Sequence, residues 1–156
     1  MLNLPDEIAS ACKPLFEMLP LEQAMPHLLG SHPEHTALVQ EILKDPALSN
    51  RSDLAAGLWL YVDDLDRSHT VSQSLDSRTG SYWHGIMHRR EGDFSNSHYW
   101  HRRAAGHPLL AAHPELAPDN LVDDVAGAPR SDDPALVERQ RTEWQMLFEW
   151  CASNEE

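Results

Sequence analysis

Asp53-Leu-Ala-Ala-Gly-Leu-Trp-Leu-Tyr-Val-Asp-Asp-Leu-Asp-Arg-Ser-His-Thr-Val-Ser-Gln-Ser-Leu75 decides the fold class. Leu58, Tyr61, Val62, Leu65 and His69 recur three or four residues apart, the spacing that sets them on one stripe of an α-helix. The segment lacks the alternation of apolar and polar residues that a half-buried strand requires. The spacing predicts one long helix over residues 53–75, capped by Ser52 or Asp53 and closed by a turn at 77–80.

The flanking sequence has the same helical period. Towards the N-terminus, residues 6–18 read as a helix with Asp6 and Glu7 in its first turn and Pro14 kinking or splitting it. A short helix is expected over 21–29, ending at Gly30. Ser31 then caps another, with Pro33 in its first turn and Leu38, Val39, Ile42 and Leu43 on one face. Towards the C-terminus, two short helices are expected at 82–91 and 97–105, with Ser81 capping the first and Gly92 and Gly106 as terminators. Residues 108–133, rich in Pro, Asp, Ala and Gly, read as an acidic, mostly irregular loop. Pro134 opens a final helix whose stripe is Leu136, Val137, Trp144, Leu147, Phe148 and Cys151, and residues 153–156 are expected to fray. The fold expected is all-α: a small, irregular bundle of about five to seven helices forming one domain over residues 1–156.

Charge is unevenly distributed. The chain carries −13 overall, from 12 basic and 25 acidic residues. That balance argues against nucleic acid and anionic membrane surfaces as partners. Residues 81–107 alone are cationic, with four arginines against Glu91 and Asp93. They also hold five of the ten histidines and five of the eleven aromatic residues. Cys12 and Cys151 are too few for a disulfide scaffold and read as buried free thiols, the alternative being a bridge between them. No stretch has the roughly 18 consecutive apolar residues of a membrane span. The opening residues lack the character of a secretion signal, so a cytoplasmic location is expected.

Within Ser81-Tyr-Trp-His-Gly-Ile-Met-His-Arg-Arg-Glu-Gly-Asp-Phe-Ser-Asn-Ser-His-Tyr-Trp-His-Arg-Arg103, His84, His88 and Glu91 fall one turn apart on one helical face. Two imidazoles at that spacing can grip one borderline metal ion such as zinc. His69, on the apolar stripe, is the candidate third ligand, the alternative being a core histidine. Glu91 and Asp66 are candidate catalytic carboxylates, and Asp66 can also serve as a ligand or support an imidazole. Asp63, Asp64 and Asp66 suggest either a hard-cation site or a solvated acidic face paired with Arg67. Arg89, Arg90, Arg102 and Arg103 suggest recognition of a carboxylate or phosphate, with Trp83, Tyr99 and Trp100 walling the site. The competing reading sets these arginines at helix C-termini, complementing the dipole. The chain has neither a GxSxG nucleophile turn nor a glycine-rich phosphate loop.

This stretch, with Trp59-Leu-Tyr-Val-Asp-Asp-Leu-Asp-Arg-Ser-His-Thr70 before it, resembles a family of small bacterial and fungal proteins with phrases of the form YWHxIxHRRExDxxNxxYWxRR. The resemblance covers about 50 of the 156 residues and implies no activity. The HxxxHR core is also similar to the DNA-damage-inducible family of metal-binding four-helix bundles, which pairs this motif with a histidine on another helix. Gly85 and the shortness of the expected helix depart from that pattern.

Two functions follow as expectations. One is a metal-dependent enzyme acting on a small anionic substrate, with His69, His84 and His88 as ligands. The other is a non-enzymatic module whose Arg/Trp surface holds an acidic peptide, a small anion, or the acidic 117–133 segment of a second copy in a homo-oligomer. In either case residues 81–107 are expected to line the main pocket, with Trp83 or Trp100 in its wall.

Overall fold

The computed structural model describes residues 2–154, and every regular element among them is helical. The elements are α1 (Asp6–Met18), α2 (Thr36–Ile42), α3 (Ser52–Tyr61), α4 (Leu65–Gln73), α5 (Arg78–Glu91), α6 (Phe94–Ala104), α7 (Pro108–Ala112), α8 (Pro118–Ala126) and α9 (Pro134–Ser153), with a single 3₁₀ turn at Pro114–Leu116. The all-α class is as expected. The nine helices among the described residues differ from the five to seven read from sequence through two gains and one loss.

First, the helix expected over 53–75 is two helices. The chain breaks at Val62–Asp64, where Asp63 adopts a left-handed φ of 61°. Asp64 then caps α4 by accepting from the Arg67 N–H. Second, the expected loop at 108–133 holds α7, the 3₁₀ turn and α8, each opening on a proline in its first turn, where the missing N–H costs no hydrogen bond. Third, residues 21–29 form turns and not a helix. Ser31 does not cap the next helix: its hydroxyl donates to the Asp63 carbonyl, and α2 starts only after His35.

Other boundaries shift by a few residues. α5 starts at Arg78, capped by the Ser77 hydroxyl, and ends at Gly92 with φ 86°. α6 starts at Phe94 under an Asp93 cap. α1 continues through Pro14. Of the residues expected to fray, Ser153 is helical, whereas Glu155 and Glu156 lie outside the described residues.

The core is built around α3 and α5. α3 buries every residue from Ala56 to Tyr61, as an all-round apolar helix must. α5 is buried from Thr79 to Arg90 although it is rich in polar side chains. Trp83 of α5 lies against Gly57 of α3, where a Cβ would stand 2.8 Å from the indole. Trp144 of α9 donates its indole N–H to the Gly57 carbonyl at 2.8 Å. Phe16 of α1 meets Tyr61 edge-on, and Trp144 stacks on Phe148. A smaller cluster, Leu28, Leu121, Val125 and Val137, joins α8 to α9. No helix of the described residues is long and apolar enough to cross a membrane.

Candidate metal centre

The chain reversal between α4 and α5 brings three imidazoles together. His84 and His88, one turn apart on α5, lie nearly parallel with ring centroids 4.8 Å apart. His69 of α4 meets both edge-on, at 4.8 Å from His84 and 5.3 Å from His88. One ligand nitrogen from each of the three lies within 4.8 Å of the others. In a tetrahedral zinc site with bonds of about 2.0–2.1 Å the ligand nitrogens stand about 3.3 Å apart, a spacing that falls inside that limit.

The surroundings suit neutral, ligating imidazoles. His84 and His88 are buried and His69 is half-buried. His84 Nδ1 is buried with no hydrogen-bond partner. Burial, then the neighbouring His88 and His69, push the His84 pKa down to about 3, so it is uncharged at neutral pH. Its ring is covered on one side by Trp100 of α6, stacked at 3.9 Å. His88 Nδ1 is 2.6 Å from the carboxylate of Glu91, which leaves its Nε2 for an ion. The donor set of three imidazoles fits a borderline divalent cation better than a hard one.

Gly85, between the two α5 histidines, permits the close approach of α6. A Cβ there would stand 2.6 Å from the His101 ring, and the Ser97 hydroxyl donates to the Gly85 carbonyl at 2.6 Å. The helix carrying the motif is 14 residues long, not the short one expected.

The other candidate residues divide sharply. Glu91 joins the cluster through His88, whereas Asp66 is exposed on α4 and is not grouped with the histidines. Arg89 and Arg90 do not face a ligand. Both are fully buried: Arg89 bonds Glu143 of α9 at 2.7 Å and Gln140 at 3.4 Å, and Arg90 pairs with Asp63 at the α3–α4 break. Burial lowers the Arg90 pKa, while the Asp63 carboxylate opposes that shift. Trp83 is also a core residue and walls no site. The hard-cation reading of Asp63 and Asp64 fails likewise, because Asp63 holds Arg90 and Asp64 holds Arg67. Arg102 and Arg103 are exposed, and the Arg103 guanidinium lies over Trp100 at 5.4 Å and Tyr99 at 5.9 Å.

Sequence reasoning missed the partners that use up the cationic stretch. Glu143 and Gln140, more than fifty positions away, leave no local signal. His98 spans the carboxylates of Asp119 and Asp123 on α8, at 2.7 and 2.9 Å. The acidic segment expected to engage a second copy thus contacts the cationic stretch within its own chain. His107 accepts from the Leu109 N–H and lies 2.8 Å from the Thr79 hydroxyl. The expectation that 81–107 line the main pocket meets a groove of about 560 Å³ lined instead by Leu4, Phe16, Leu21, Tyr61 and Arg141 among others.

Compared with protein-family models, curated proteins and solved structures, the chain matches none. The functional reading therefore rests on the site itself.

Proposed function

We propose that this chain is a metal-dependent protein whose single divalent ion, zinc or a similar borderline cation, is held by His69, His84 and His88. The observation that carries the reading is the convergence of three imidazoles from two helices, one of them with a buried, unpartnered nitrogen. His101 of α6 also has unpartnered ring nitrogens, but only His84 combines one with ring contacts to two other imidazoles, the arrangement of a ligand set. Neutral imidazole is the form that binds metal, and the burial of His84 favours it.

Three protein ligands leave a coordination position free, and an ion so held supplies Lewis acidity towards a small anionic substrate. The residues around it shape access. Trp100 walls one side of His84, and Arg103 over that indole offers an exposed cation nearby. Arg89 and Arg90 are excluded from substrate binding because their guanidiniums are held in the core. Of the two carboxylates expected to take part, Glu91 stands beside the ligands and Asp66 does not.

The exposed Tyr99–Arg103 contact favours a second reading, a surface for an acidic peptide, which does not need the histidines. Elemental analysis of tag-free protein separates the two. The metal reading expects about one zinc, or another divalent ion, per chain, lost in His84→Ala and in His69→Ala. Wild-type protein that neither retains nor takes up such an ion overturns it and leaves the peptide surface as the better account.

A further inference from the structure

Glu91 stands at the last turn of α5 with its side chain 42% exposed, yet it makes a 2.6 Å hydrogen bond to a buried ring. A side chain so placed has water available on its outer side. Its engagement with His88 is therefore set by the i, i+3 geometry of α5 and not by lack of alternatives. Because Glu91 meets Nδ1, the imidazole keeps its proton there and leaves the Nε2 lone pair free. The α5 backbone places that ring parallel to His84 and edge-on to His69.

Resting on the three-histidine reading above, we infer that Glu91 is a positioning residue for His88 and not a proton-transferring base: its carboxylate fixes the Nδ1–H tautomer, holds the ring against rotation, and raises the basicity of the nitrogen that meets the ion. Metal-bound imidazoles commonly donate their second N–H to a carboxylate, and removing that partner weakens metal binding. His84 has no such partner and is steadied by stacking on Trp100, so the two α5 ligands are held by different means. Asp93, whose carboxylate lies near Glu91 and His88, is already committed to the α6 cap through Asn96 and Ser95.

Zinc affinity of tag-free wild type, Glu91→Gln and Glu91→Ala, measured by competition with a chromogenic chelator, tests this. Both variants are expected to bind zinc about 10- to 100-fold more weakly, at unchanged stoichiometry. The cobalt(II)-substituted variants should show altered visible bands, which a change in fold stability alone would not produce. A measurement on the wild type needs no variant to fold: ¹⁵N NMR of the metal-free protein at pH 8 should show His88 as the Nδ1–H tautomer. Finding Nε2–H, or variants that bind zinc as tightly as wild type, overturns the inference while leaving the three-histidine site standing. Wild-type protein that takes up no zinc overturns both.

Discussion

Trp100 lies flat against His84, with ring centroids 3.9 Å apart and planes within 12° of each other. The contact joins α6 to the α5 ligand pair, so an indole reports directly on the occupancy of the proposed site.

Copper(II) or cobalt(II) bound at His84 should therefore quench tryptophan fluorescence. The chain has five tryptophans, yet Trp100→Phe should abolish most of the quench, because Phe can keep the stack but not the emission. Titration of both proteins with the same ion is the check. An undiminished quench in the variant would place the ion elsewhere.

Gly85→Ala should destabilise the fold, against the usual trend. Alanine inside a helix normally gains about 0.5–1 kcal/mol over glycine. Here the added methyl would stand 2.6 Å from the buried His101 ring, so overpacking should cost about 1–3 kcal/mol instead. Urea denaturation gives the sign, and Gly85→Ala combined with His101→Ala should recover part of the loss. A stabilised single variant would show that α6 yields easily.

Arg89 and Glu143 form a buried pair at 2.7 Å, and the Tyr82 hydroxyl donates a second bond to the Glu143 carboxylate at 3.1 Å. Removing one partner strands a charge in the core. Arg89→Ala or Glu143→Ala should each cost roughly 3–5 kcal/mol, while the double variant Arg89→Met with Glu143→Leu should cost less than either. Chemical denaturation of all three tests the pattern. Simple additivity would mean that the charges are not coupled.

His98 predicts a pH dependence. Its hydrogen bonds to Asp119, and then to Asp123, raise its pKa above 6.5, partly offset by burial. A histidine with a raised folded-state pKa stabilises most when protonated. The contribution is full below about pH 6.5, the unfolded value, and disappears as pH rises through the folded value. Both carboxylate partners are exposed, so the effect should stay below about 1 kcal/mol. His98→Gln should flatten stability between pH 6 and pH 8 relative to wild type, and parallel profiles would remove the link between α6 and α8.

The helices that were legible in the sequence are those whose signals are local. Gly92 ends α5 and Pro134 opens α9 where the sequence suggests. The first-turn proline that marks α9 recurs at Pro108, Pro114 and Pro118, but loop-like composition around these masked three short elements. Asp64 carried a readable cap signal that the unbroken apolar stripe from Leu58 to His69 overrode. The left-handed turn at Asp63 is supported by Arg90 from another helix, which no local pattern reveals. In the site, the spacing of His84 and His88 was legible from helical periodicity, and His69 from its spacing to Leu65 within α4, although the longer stripe back to Leu58 crosses the break at Val62–Asp64. The burial of Arg89 and Arg90 was not, because adjacent arginines look the same in sequence whether they meet a ligand or a distant carboxylate.

Those two arginines have a further consequence. Successive residues on a helix point about 100° apart. Arg89 is tied to α9 and Arg90 to the bend between α3 and α4. Rolling α5 by one position would carry Arg89 towards the place of Arg90 and leave Glu143 with no cation. The two ion pairs act as a key with two teeth, admitting α5 at one azimuth only, and the bearings of His84 and His88 are set by that lock before any ion arrives.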